Sequence, residues 1–151
     1  MPTIECTSYI KSNLEDAFGA SLDVDLHKLS TSKTKEKVVN GINSGVMKLN
    51  DTVTWSAIHF GVRQKFTSKI TAYNFPYSFT DEMQKGIFKS FKHEHFFTQE
   101  GEFVKMVDYL HFISPLGYFG KLANVLFLTN YLKRFLEERN KTLKDHLEQK
   151  I

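Results

Sequence analysis

The sequence predicts an α+β domain: a curved, seven-stranded antiparallel sheet with two short helices and a long C-terminal helix. Three observations carry this reading. From Lys37 to Ile113 the chain alternates with period two and is rich in β-branched and aromatic residues. Glycine, proline, asparagine and aspartate punctuate that stretch at intervals suited to hairpins. After Gly120 the apolar period becomes helical and stays so through Leu147.

Each element has its own signal. Thr3 to Ile10 alternates Ile4, Cys6, Ser8 and Ile10 against Glu5, Thr7 and Tyr9, a weak strand. Ser12 and Glu15 have capping-box spacing, and Leu14, Ala17 and Phe18 then share a helical face that Gly19 ends. A second short helix is expected around Asp23 to Leu29, and Ser30 to Glu36 reads as loop. Strands follow at Lys37–Ile42, Thr52–Phe60, Val62–Tyr73, Tyr77–Met83, Phe88–Thr98 and Phe103–Ile113, with turns at Gly45, Asn50-Asp51, Gly61, Pro76, Gly86 and Gly101. In the fourth strand Arg63, Lys65 and Lys69 share one face, which must see water. The other face of the sheet must be covered, and the last helix is the element long enough to cover it. That helix is expected to start near Gly117 to Lys121; roughly thirty residues would extend about 45 Å. Its apolar residues include Leu122, Val125, Leu132, Leu136, Leu143 and Leu147.

The 151 residues fit one domain with a sizeable core, and no linker or repeat divides them. The formal charge of +3 gives little support to a nucleic-acid partner. The single cysteine, Cys6, allows no internal disulfide and no cysteine metal cage, and points to a reducing compartment. The N-terminal segment lacks the charge and apolar run of a secretory signal, and Leu116 to Leu136 is too polar to span a bilayer. A cytoplasmic protein is expected. Fourteen Phe, six Tyr and one Trp are enough to wall a cavity as well as fill a core.

Asp81-Glu82-Met83, Gly86, Phe88, Phe91, His93, His95 and Phe97 form the run D-x-M…G-x-F-x-x-F-x-H-x-H-x-F. Trp55 precedes His59-Phe60-Gly61, Ser114-Pro115-Leu116-Gly117 precedes Gly120, and the last helix holds Leu136-Glu137-Glu138-Arg139-Asn140. In these motifs and in its element order, the chain resembles one small bacterial branch of the SRPBCC superfamily. That superfamily includes START lipid-transfer domains, pollen-allergen-like proteins and polyketide cyclase/dehydrase-like proteins. The resemblance covers nearly the whole chain and implies the helix-grip (START-like) fold, with an apolar pocket between sheet and last helix. It does not choose among carriers, sensors and enzymes.

The alternation places Phe91, His93, His95 and Phe97 on one strand face, with Lys92 and Glu94 on the other. Asp81 shares a face with Phe79 and Met83, Asp108 with Met106 and Leu110, and His59 with Trp55. Imidazoles and carboxylates are thereby brought within reach of each other, and three readings follow. The pairs can satisfy buried polar atoms. They can perform acid/base chemistry or anchor a polar ligand, with His93, His95 and Asp108 as catalytic candidates. They can chelate a metal, with Asp108 or His59 completing a His-x-His pair. Without cysteine ligands or a dense acidic cluster, no metal or cofactor is expected. Given the helix-grip resemblance, the expected pocket residues are Trp55, His59, Phe66, Phe79, Asp81, Met83 and Phe91, with His93, His95, Phe97, Asp108, Phe119 and Phe127. The segment from Pro115 to Gly120 is the expected gate. The leading function is binding of a small apolar or amphipathic ligand. The alternatives are a cyclase/dehydratase or hydrolase, and a protein-interaction module using the last helix.

Overall fold

Seven segments of alternating pattern pair into one antiparallel sheet in a computed structural model that describes residues 3–31, 35–59, 61–114 and 127–149. The elements are β1 (Thr3–Lys11), α1 (Leu14–Ser21), α2 (Val24–Ser30), β2 (Lys37–Gly41), β3 (Thr52–His59), β4 (Val62–Asn74), β5 (Ser78–Lys85), β6 (Ser90–Glu100), β7 (Phe103–Ile113) and α3 (Thr129–Glu148). The sheet order is β1-β7-β6-β5-β4-β3-β2. The expected helix start at 117–121, Phe119 and the expected gate at 115–120 lie outside the described residues.

Period two sorts the side chains into two environments. On β7, Val104, Met106, Asp108, Leu110 and Phe112 are buried, and on β6 so are His93, His95 and Phe97. Register shifts between Val38 and Asn40, Thr67 and Ser68, and Ile70 and Ala72 bend the sheet and raise its local twist. Gly41 is required where β2 meets β3: its φ is +81°, and a Cβ there would lie 2.3 Å from the Thr52 carbonyl oxygen.

The helices cover the inner face. Capping of α1 falls one residue later than the Ser12–Glu15 spacing suggests: Asn13 Oδ1 accepts from the Asp16 backbone N–H at 2.8 Å, while Asn13 Nδ2 donates to the Asp16 carboxylate at 3.0 Å. Asp23 caps α2 through the N–H groups of Asp25 and Leu26. On α3 the buried stripe is Leu132, Leu136, Leu143 and Leu147, with Arg139 and Asn140 filling the gap in it. Phe18 of α1 is 1% exposed and packs edge-on to Tyr73, Phe75 and Phe79. A second core joins Ile4, Leu110 and Phe112 to Leu132 and Leu136. Among the described residues, no helix is long and apolar enough to cross a membrane.

Candidate functional site

Between the inner face and α3 lies a cavity of about 460 Å³, within the size range of small-molecule sites. Its walls are mostly apolar: Trp55, Phe79, Phe91, Leu110, Leu136 and Ile70 contribute, with Phe66 and Phe127. Polar side chains reach it in two groups.

The first group is set by strand register. Asp81 on β5 pairs across with His93 on β6, and His95 pairs across with Asp108 on β7. All four point inward, so diagonal neighbours also meet. His93 Nε2 is 2.9 Å from Asp108 Oδ1, and His95 Nε2 is 2.8 Å from Asp81 Oδ2. His95 Nδ1 lies 3.0 Å from Asp108 Oδ1, off the line of a well-aligned hydrogen bond, while His93 Nδ1 is 4.0 Å from Asp81 Oδ2. The two imidazole rings stack at 3.7 Å. The Asp81 side chain keeps 21% exposure through the cavity, against 0% for Asp108.

Asp108 is held from the helix side as well. Asn140 Nδ2 donates to its Oδ2 at 2.7 Å, and Arg139 Nη1 lies 3.5 Å from its Oδ1. Burial alone would raise the Asp108 carboxyl; hydrogen bonds and charge from His93 and His95 outweigh it and hold the group well below the usual carboxylate range. Asp81 is likewise pushed up by burial but held low by the His95 hydrogen bond and by the charges of His93, His95 and Arg139. Burial, then the neighbouring His95, pushes His93 down, against the pull of Asp108.

The second group is Glu36, His27, His59 and Tyr131, all on the cavity wall. His59 Nδ1 meets the Tyr131 hydroxyl, and His27 Nε2 is 3.5 Å from the Glu36 carboxylate. Burial pushes His59 down despite the Glu36 charge. His59 therefore belongs to a different group from His93 and His95.

Of the residues expected in the pocket, Trp55, His59, Phe66, Phe79, Asp81, Phe91, His93, His95 and Phe127 line the cavity, and three do not. Met83 places its sulfur in the space that the missing side chain of Gly86 leaves free. Phe97 is stacked on Phe79 and covered by Phe18. Asp108 lies behind the histidines, so it can orient them but cannot touch a ligand. Arg139 and Asn140, which complete the cluster, carry a signal in the sequence: they occupy the step between Leu136 and Leu143 where an apolar residue is due.

No protein-family model matches the chain, and no curated protein does. Solved structures do match. TTHA0849 from Thermus thermophilus superposes with a TM-score of 0.80 at 17% identity over 98% of each chain. A START superfamily protein from Mycobacterium smegmatis gives 0.72 at 14% over 99% of each, and Ara h 8.0201 gives 0.70 at 13% over 98% of each. With similarity this low in sequence and this complete in shape, what is shared is the architecture. The chain has the START-like helix-grip fold, a curved antiparallel sheet closed by a long C-terminal helix.

Proposed function

We propose that this protein binds a small apolar or amphipathic ligand in the cavity between sheet and α3. The ligand's body lies against Trp55, Phe79, Phe91 and Leu136, and its polar end reaches Asp81, His93 and His95. The observation that carries this is an apolar cavity of about 460 Å³ into which a few buried polar groups converge. A filled interior would instead favour an interaction module. The buried thiol of Cys6 suits a reducing compartment such as the cytoplasm.

Titration with apolar fluorescent probes tests the proposal. Saturable binding with micromolar Kd is expected, about −8 kcal/mol; no saturation by the folded protein contradicts it. Native mass spectrometry of protein purified from its own host would identify a retained compound.

A second reading has one specific observation behind it. His95 touches a carboxylate through each ring nitrogen and lines the cavity with His93. This arrangement suits proton transfer to or from a bound ligand, with Asp108 positioning the rings. Turnover of the retained compound by wild-type protein but not by His95→Asn, with binding kept in both, would select it.

A further inference from the structure

The shared acceptor Asp108 fixes how the two imidazoles present their other nitrogens. Asp108 is wholly buried, and its Oδ1 lies 2.9 Å from His93 Nε2 and 3.0 Å from His95 Nδ1. The remaining atoms, His93 Nδ1 and His95 Nε2, are turned toward the Asp81 carboxylate, 4.0 and 2.8 Å from its Oδ2. At 2.8 Å the His95 Nε2–H donates to Asp81 in the metal-free protein, and an ion that displaces this proton takes the same three atoms as its ligands. We propose that Asp81, His93 and His95 form a site for a divalent first-row transition metal ion such as Zn²⁺ or Fe²⁺, with Asp108 as the positioning residue behind both imidazoles.

The geometry fits. One ligand atom from each residue lies within 4.8 Å of the other two. Donors about 2.1 Å from a tetrahedral ion sit about 3.4 Å apart, and the observed separations from Asp81 Oδ2, 2.8 and 4.0 Å, fall on either side of that value. A carboxylate that accepts the far N–H of ligand histidines is the usual support of such sites. Two nitrogens and one oxygen favour a transition ion over Mg²⁺ or Ca²⁺. The ion and Arg139 together outweigh the charge of the two carboxylates by one unit, so the position open to the cavity takes an anionic donor, such as a carboxylate or enolate. His59, grouped with Tyr131, is not a ligand.

The metal site shares the cavity of the proposed organic ligand but does not depend on it, and it is tested with no such ligand present. Tag-free, chelator-stripped chain is titrated with Zn²⁺ by calorimetry, and with Co²⁺ by visible absorption. One ion per chain is expected, with micromolar or tighter Kd, and Co²⁺ should show the visible bands of a low-coordinate nitrogen and oxygen site. Asp81→Ala should weaken Zn²⁺ binding at least a hundredfold, Asp108→Asn ten- to a hundredfold, and His59→Ala and His111→Ala not at all. Co²⁺ absorption by the wild type needs no variant, so a variant that fails to fold leaves the test intact. Folded wild type that binds no stoichiometric Zn²⁺, or Zn²⁺ binding that Asp81→Ala leaves unchanged, overturns the site. A proton on His95 then fills the gap, and apolar-probe binding is unaffected by that result.

Discussion

Strands β6 and β7 carry histidine–carboxylate pairs on both faces of the same sheet. Outside, His111 Nε2 meets Glu94 at 2.8 Å, with side chains 26% and 30% exposed. Inside, His93 meets Asp108 at 2.9 Å, with side chains 8% and 0% exposed. The contact distances are nearly equal and the chemistry is the same, yet the physical meaning differs. Water solvates the outer pair whether or not it forms, so its net worth is small. The inner groups have no water to return to, so each must keep a partner. That necessity recruits Asn140 and Arg139 from α3 and couples the histidines to the cavity. One residue of register converts a surface pair into a buried network.

The largest expected effect breaks the inner network. Asp108→Ala removes the carboxylate that His93 and Asn140 donate to and the counter-charge beside Arg139, and should cost about 3–5 kcal/mol, read from urea unfolding at neutral pH. If the loss is under about 1 kcal/mol, the two faces are energetically alike and the contrast fails.

Acid should act on the inner face next. The folded pKa of Asp108 is depressed, so its stabilisation is complete above the unfolded value of about 3.9. It is lost as pH falls through the depressed folded value. With chelator present, the urea midpoint should therefore drop steeply below about pH 4, and Asp108→Asn should flatten that limb. An acid limb identical in the two proteins would show that Asp108 does not govern it.

A smaller effect sharpens the link to the cavity. Ala57 lines the cavity and is 5% exposed. Ala57→Phe puts a ring into that space and should weaken apolar-probe binding tenfold or more, about 1.4 kcal/mol, with little change in the unfolding midpoint. Unaltered affinity would place the probe elsewhere. Smallest of all, His111→Ala on the outer face should change stability by about 0–1 kcal/mol; a larger loss would mean the outer pair is not solvated as its exposure implies.

Much of this architecture is legible in the sequence because local physics decides it. Phe103–Ile113 alternates so cleanly that its strand limits match those expected, and period two alone puts His93 and His95 on one face. Long-range register is what the sequence withholds. Asp81 and Asp108 both alternate with apolar neighbours, and the sequence offers Asp108, not Asp81, as the catalytic carboxylate. Only the pairing of β5 with β6, and the approach of α3 to β7, give one a cavity face and the other a closed pocket. His59 likewise shares the pattern of its strand, but the end of β3 lies beside Tyr131. Met83 reads as inward by alternation, yet Gly86 offers its sulfur a nearer berth.

The central contrast can be read in one experiment. Histidine-ring nitrogen resonances are followed by NMR while 8-anilinonaphthalene-1-sulfonate, an amphipathic anionic probe, is added. The cavity and its inner cluster predict saturable shifts at His93 and His95, with His111 unmoved. Saturable probe binding that leaves His93 and His95 unchanged, or moves His111 as much, would contradict them.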